Sequence, residues 1–393
     1  MSLRRCISIM HTPPFSACTI VLGGNCLFRP RSELALISMS SSSESPSVGV
    51  EQAQAVVDKH FRGDHGPATI VNFTQVKHGF SYTPGMTTYL LDLALSSNTE
   101  PTHSSFLVVS AALPTPPLDA YHPNALPMFP QLISLIRTNT SIPIPDPTLD
   151  TTQTLLPYTY LITPMYPVTS TTLVSLAQAR TARVLTPQQQ ALIDLQLGQY
   201  LGELHKGAQN DWFGLPASAP PADPSYDWQD SFTGLLEALL DAVPPAAGLP
   251  LAELRSALAR AISAFLFADV AVPSLVWFTG SADDVFLAFS PSGEFSAFAL
   301  LPAVAHALWG DPLLETFFAD ASAAFCEGYR ATRGAEEGAL LVFPRQRTKR
   351  VWYDVFLALV VLAERRGQSD EKTKWAEETL RKSVEVLKDA PCY

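Results

Sequence analysis

Residues 69–113, "TIVNFTQVKHGFSYTPGMTTYLLDLALSSNTEPTHSSFLVVSAAL", decide the fold of the first part of this 393-residue chain. Three runs in this segment, at 69–81, 87–95 and 104–113, are rich in β-branched and aromatic residues, and glycine, proline and serine separate them. Such runs fit the pleated, half-buried surface of a sheet, whereas the residues between them favour turns. The segment therefore predicts three antiparallel strands.

Helical and extended patterns flank these strands. Upstream, residues 48–61 place apolar side chains at helical spacing, which predicts an amphipathic helix. Downstream, the segment 124–137 predicts a short helix after Pro130, and the alternating prolines of residues 141–147 force an extended path. Residues 158–168, "YTYLITPMYPV", then predict one further strand.

The remainder of the chain is predicted to be mainly helical. Two apolar runs, 274–279 and 285–301, predict an inserted strand pair, and the second run turns at Ser292 and Gly293. The segments with helix-period apolar residues are 187–204, 229–240, 250–266, 312–332 and 345–365.

This order of elements predicts an α+β protein. A small antiparallel β lobe precedes a larger, mainly helical lobe that carries a β-hairpin. We place the boundaries at residues 1–47 for an N-terminal tail, 48–166 for the β-rich lobe and 167–393 for the helical lobe.

The charge balance limits the classes of partner. The chain has 26 Lys and Arg against 37 Asp and Glu, a formal net charge of −11. A general nucleic-acid binder needs a basic face that displaces counterions from phosphates, so we predict no nucleic-acid partner. The most apolar stretches are shorter than the about 20 residues that a membrane-spanning helix needs, so we predict no membrane span.

The N-terminal segment has a charge bias of its own. It contains four arginines and no acidic residue before Glu33, which is typical of a mitochondrial transit peptide. Its prolines and glycines would interrupt the amphipathic helix of such a peptide. We therefore predict a disordered tail and a cytoplasmic protein, with mitochondrial import through residues 1–38 as the alternative. Either Met1 or Met39 is the start residue.

Several motifs follow one another in the order found in a known enzyme family. They are "SIPIPDPTL" at 141–149, "PYTYLITPMYPVTSTTL" at 157–173, "LGQYLGELHKGAQNDWFGLP" at 197–216, "SPSGEFSAF" at 290–298 and "HALWGDPLLE" at 306–315. The last is the most specific. With these motifs the chain resembles the aminoglycoside and choline phosphotransferases, particularly their fungal members. The resemblance implies a two-lobed protein-kinase-like fold whose lobes join near residues 164–168.

The family's catalytic loop has the pattern His-x-Asp-x-x-x-x-Asn, and the segment that fits by position is "WFTGSADD" at residues 277–284. By this resemblance Trp277 takes the place of the histidine, Thr279 that of the catalytic aspartate and Asp284 that of the metal-binding asparagine. A threonine hydroxyl cannot serve as a carboxylate base near neutral pH. The motifs are therefore degenerate.

The other charged groups of the family are missing as well. Residues 295–310, where the second metal-binding aspartate is expected at Leu300 or Ala303, contain no acidic residue. No lysine occurs between Lys77 and Lys206, so the third strand lacks the lysine that holds nucleotide phosphates. The helix over residues 126–137 lacks its partner glutamate.

Weak candidates for a site remain. Gly79, Phe80 and Ser81 occupy the position of the nucleotide-binding loop, and an ordinary hairpin is the alternative. Asp283 and Asp284 are candidate metal ligands, and a solvated turn is the alternative.

Three functions fit these residues. The first is a pseudokinase that binds an unknown small molecule or protein partner, with no cofactor. The second is a divergent phosphotransferase that uses ATP and Mg²⁺ with Asp283 and Asp284 and acts on a small hydroxylated molecule. The third is a different enzyme that reuses the cleft. Fold alone does not choose among them.

Overall fold

The structure is a computed structural model that describes residues 45–61, 66–81, 83–95, 100–111, 121–168, 173–244, 248–289, 295–300, 303–334, 343–366 and 368–391, with the backbone alone for 295–300. All of these belong to one compact unit, residues 43–393. The predicted transit peptide, the start residue and the turn at Ser292 and Gly293 lie outside the described residues.

The elements found in this part of the chain follow in sequence order. The strands are β1 (Ala68–Val76), β2 (Met86–Leu95), β3 (His103–Ser110), β4 (Thr148–Asp150), β5 (Thr159–Ile162), β6 (Tyr166–Pro167), β7 (Val174–Ser175), β8 (Ser274–Val276), β9 (Val285–Phe289), β10 (Phe295–Leu300) and β11 (Leu308–Gly310). The helices are α1 (Val50–His60), α2 (Phe129–Asn139), α3 (Leu176–Thr181), α4 (Pro187–Gly207), α5 (Trp228–Ala242), α6 (Leu251–Ser263), α7 (Ala323–Arg333), α8 (Pro344–Glu364) and α9 (Glu371–Asp389).

The predicted three-stranded meander is confirmed. β1 pairs with β2 and β2 with β3, both antiparallel, and the sheet continues through β5 to β4, while β6 pairs with the start of β3. Because successive residues of a strand point to opposite faces, the sheet separates two cores. Leu90 and Phe106 face the helical part, whereas Leu91 and Leu107 pack with Val56 of α1.

Most of the helices predicted for the helical part are present in the structure. The predicted start of one of them is wrong. The segment predicted as a helix over 312–332 contains two 3₁₀ turns, Pro312–Leu314 and Thr316–Phe318, before α7 begins. Two local bonds explain this interruption. The carboxylate of Asp311 accepts from the N–H of Leu313, and the hydroxyl of Ser322 caps α7 by accepting from the N–H of Phe325.

The inserted hairpin forms between β9 and β10, as predicted. The preceding strand β8 pairs with β11 instead, which brings the segment after the hairpin back beside the start of the loop 277–284. Sequence patterns missed the short elements β4 and α3 and the long helix α9. The boundary between residues 166 and 167 falls inside β6 and stays a prediction. Within the described residues, no helix has the length and apolar content that crossing a membrane requires.

Candidate functional site

Buried Glu315 fixes the start of the loop that connects β8 to β9. Its carboxylate accepts hydrogen bonds from the backbone N–H of Trp277 at 2.6 Å and from that of Phe278 at 3.0 Å. Phe278 has a φ of 62°, in the left-handed region, which costs a non-glycine residue about 1–3 kcal/mol. The two charge-assisted bonds offset this strain and hold the loop in one conformation.

Thr279 and Asp284 lie on this loop and converge on Ser81, in the connection between β1 and β2. The Ser81 Oγ is 3.2 Å from Thr279 Oγ1 and 3.2 Å from Asp284 Oδ2. Both loop side chains are buried. The structure therefore brings together three of the residues that the sequence singles out, and the Ser81 hydroxyl contacts the polar groups of the other two.

Asp284 has an environment that disfavours its charged form. Burial raises the pKa of this carboxyl to about 7, with a smaller contribution from the charge of Asp283. The carboxylate accepts from the N–H of Ser281 at 2.9 Å and lies 3.2 Å from the Ser281 hydroxyl. A metal ligand must be deprotonated. To bind Mg²⁺, Asp284 would therefore have to release its proton and give up hydrogen bonds with Ser281.

The connection between β1 and β2 rests directly on the same loop. Gly79 has a φ of 85°, and a Cβ atom at this position would lie 3.1 Å from the Cβ of Asp283. Glycine therefore meets two demands here, the left-handed backbone and the close approach. The predicted nucleotide-binding loop is thus packed against the loop 277–284.

The last helix covers this connection from its other side. The Phe80 ring packs against Trp375 of α9 at a centroid distance of 4.7 Å, and the Lys372 Nζ lies 4.2 Å from the centre of the same ring. Burial lowers the pKa of Lys372, while the nearby Asp283 and Asp284 oppose this shift. A cation from α9 thus lies close to the two aspartates.

The segment expected to supply the second metal ligand is held by its backbone. The Asn124 side chain donates to the carbonyls of Val304 at 2.9 Å and Ala307 at 2.8 Å. The indole N–H of Trp277 donates to the carbonyl of Ala303 at 2.6 Å. These bonds fix the segment without offering a carboxylate.

The space between the predicted nucleotide-binding loop and the loop 277–284 does not fit a triphosphate. The space bounded by Ser81, Met86, Asp284 and Ala305 has a volume of about 30 Å³, enough for about two water molecules and too small for a triphosphate. Its described lining contains no lysine or arginine. Among the described residues, no group of three or more His, Cys, Asp or Glu side chains is arranged to hold a metal ion.

A larger cavity of about 430 Å³ lies beside this position. The cleft-facing residues of β1 and β2 form one wall, and Leu173, Ser175, Gln178 and Phe286 form part of another. Asp283 lines it as well. We call this space the cleft cavity. It has the volume of a site for a small molecule.

The fold is similar to that of solved small-molecule kinases. A protein of Haemophilus somnus 129PT assigned as a fructosamine-3-kinase matches with a TM-score of 0.50 and 12% identity, over 85% of this chain and 97% of that one. This match establishes the predicted kinase-like α+β fold and no activity.

Two further structures match with lower TM-scores. A choline/ethanolamine kinase family protein of Mesorhizobium loti gives 0.47 at 14% identity, over 87% of this chain and 95% of that one. Spectinomycin phosphotransferase gives 0.46 at 13% identity, over 88% and 99%. No family model and no curated protein sequence matches the chain.

Sequence reasoning missed Glu315, Lys372 and Trp375. Glu315 offered a signal, because an acidic residue between the apolar runs at 312–314 and 317–319 needs a partner when it is buried. The amphipathic pattern of α9 was also visible, but nothing local to residues 371–389 indicates contact with Phe80.

Proposed function

We propose that this protein is an aminoglycoside phosphotransferase-like pseudokinase: a kinase-like domain that does not transfer phosphate and acts by binding. The observation that carries the proposal is the contact of Ser81 with both Thr279 and Asp284. These hydrogen bonds join the predicted nucleotide-binding loop to the predicted catalytic loop. The reactants of phosphoryl transfer would have to lie between these two loops.

The chemistry of the loop supports this function. Phosphoryl transfer depends on positioning and on charges that stabilise the transferred group. Thr279 stands in place of the carboxylate base and is fully buried. Neither β3 nor α2 carries the expected ion pair of lysine and glutamate. The catalytic carboxylate, the lysine that holds phosphates and its partner glutamate are therefore all missing.

The cleft cavity supports binding of a small molecule. It is preformed, and its lining includes Asp283 of the loop 277–284. A protein partner is the alternative for the binding role.

The divergent phosphotransferase remains the second candidate because Asp283 lines the cleft cavity. In that function Asp283 and Asp284 would hold Mg²⁺ once the Gly79–Ser81 segment had moved away. The phosphotransferase must bind ATP together with Mg²⁺, whereas the pseudokinase is expected not to.

Calorimetric titration with ATP, with and without Mg²⁺, tests the proposal. We expect no magnesium-dependent heat. Tight magnesium-dependent binding that Asp283→Asn weakens would favour the phosphotransferase. Asp320→Asn, which changes an exposed carboxylate elsewhere, is the matched control.

A further inference from the structure

A stripe of polar side chains crosses the cleft-facing side of the N-terminal sheet. Asp92 on β2 is the direct cross-strand partner of Asn72 on β1 and of Ser104 on β3. The next positions on that face are Leu90 and Phe106, which are apolar and buried. We call Asn72, Asp92 and Ser104 the polar stripe. A polar interruption of an apolar face marks a position where function outweighs packing.

The carboxylate of Asp92 is buried, and no cationic side chain of the described residues pairs with it. Asp92 is 3% exposed, and among the described residues no lysine, arginine or histidine contacts it. Burial raises its pKa, and the hydrogen bonds from Ser104 and Asn72 only partly oppose this shift. Buried charges in proteins are normally paired, because removing an ion from water is costly. A cationic ligand would supply the missing charge.

The hydrogen bonds to Asp92 indicate the geometry of that cation. Ser104 Oγ donates to Oδ1 at 2.8 Å, and Asn72 Nδ2 donates to Oδ2 at 3.3 Å. A carboxylate has about four lone-pair positions, two on each oxygen. Among the described residues no further donor reaches this carboxylate, so one acceptor position on each oxygen has no partner there, which suits a ligand that makes two parallel N–H bonds.

The cleft cavity provides space for such a donor. Asn72 and Asp92 line it on the sheet side, and Leu173 and Phe286 line it on the other side. Its described lining contains His78 and Asp283 and no lysine or arginine, so no lysine or arginine of this lining pairs with Asp92.

We propose that the cleft cavity binds a small molecule through a planar amidinium or guanidinium group that pairs in bidentate fashion with Asp92. This inference rests on the proposed function, in which the cleft acts by binding. The apolar part of the ligand lies against Leu173 and Phe286.

Benzamidine and benzamide test this inference, because the two probes have nearly the same shape and only benzamidine is cationic. In calorimetric titrations of the full chain we expect benzamidine to bind at least about tenfold more tightly than benzamide, a difference of about 1.4 kcal/mol. Asp92→Asn should remove this preference, and Asp320→Asn should keep it.

A second variant keeps the test informative if Asp92→Asn fails to fold. Thr74 is exposed on β1 and lines the cleft cavity, so Thr74→Trp should block benzamidine by bulk while the melting temperature stays near that of the parent. Absent benzamidine binding, equal binding of the two probes, or binding that Asp92→Asn leaves unchanged would each overturn the inference. ATP turnover in the same samples would overturn the proposed function instead.

Discussion

Ser81 Oγ lies 3.2 Å from Asp284 Oδ2, although 203 positions separate the two residues in the chain. The Ser81 hydroxyl has one proton and faces three oxygen atoms within 3.3 Å, namely Asp284 Oδ2 and the hydroxyl and carbonyl oxygens of Thr279. It donates to only one of them. Its hydrogen bond to Asp284 opposes the burial that raises the pKa of this carboxyl, and it cannot serve Asp284 and Thr279 at the same time.

Asp284→Asn should therefore become more favourable as the pH rises. The pKa of Asp284 is about 7 in the folded chain and about 3.9 in an unfolded one, so its contribution to stability is full below about pH 4 and is lost as the pH rises through about 7. Asparagine resembles the protonated form and does not ionise. We expect the melting temperature of the variant, relative to the parent, to increase between pH 5 and pH 8. A difference that stays constant, as expected for the exposed Asp320→Asn, would contradict this assignment.

Gly79→Ala should destabilise the folded chain by about 1–2 kcal/mol, the usual cost of a left-handed conformation for an L residue. The added Cβ also meets Asp283 at 3.1 Å. Gly234→Ala is the matched control, because Gly234 lies in α5 and no atom is within 4 Å of its added Cβ. The control should stabilise by about 0.5–1 kcal/mol. Urea unfolding measures the free energy of unfolding of both variants. If Gly79→Ala also stabilised the chain, the segment around Gly79 would not be packed against Asp283.

Glu315→Gln should cost about 2–4 kcal/mol of unfolding free energy. Each carboxylate oxygen now accepts from one backbone N–H, that of Trp277 or that of Phe278, whereas the amide would keep one oxygen acceptor and present an NH₂ donor to the other N–H. The exposed Glu253→Gln in α6 should change stability by less than about 0.5 kcal/mol. Equal unfolding midpoints for the two variants would show that Glu315 does not hold the loop.

Trp375→Ala should loosen the connection between β1 and β2 while α9 stays docked. The ring packs on Phe80, whereas Ala376, Leu380, Val384 and Leu387 bury the helix independently of it. Hydrogen exchange should accelerate at residues 77–81 and remain unchanged in β2. Val386→Ala, an exposed change on the same helix, should leave both regions as in the parent. Unchanged exchange at residues 77–81 in Trp375→Ala would mean that the contact of α9 with Phe80 does not hold the connection between β1 and β2 in place.

The sequence predicted the elements whose residues repeat with a clear period. The meander β1–β3 and the helices α1, α4, α5 and α8 follow this rule, because their patterns reflect burial of one face. The start of α7 was mispredicted because the bonds of Asp311 and Ser322 divide an apolar run that continues through both turns. Periodicity does not encode such side-chain bonds.

The candidate site was predictable in part. Thr279, Asp284 and Ser81 were found by their positions in motifs, and the structure brings them into contact. Their mutual hydrogen bonds were not predictable, since they depend on how two distant loops pack. Asp92 was passed over because a single polar residue in a strand is inconspicuous until its cross-strand partners Asn72 and Ser104 are known.

The most direct test of the pseudokinase proposal is an ATP-consumption assay of the full chain with Mg²⁺ and a broad panel of hydroxylated metabolites, run beside Asp283→Asn/Asp284→Asn. We predict that the parent and the double variant consume ATP at the same background rate with every metabolite. Turnover by the parent that the double variant lacks would contradict the proposal and establish a phosphotransferase that depends on these two aspartates.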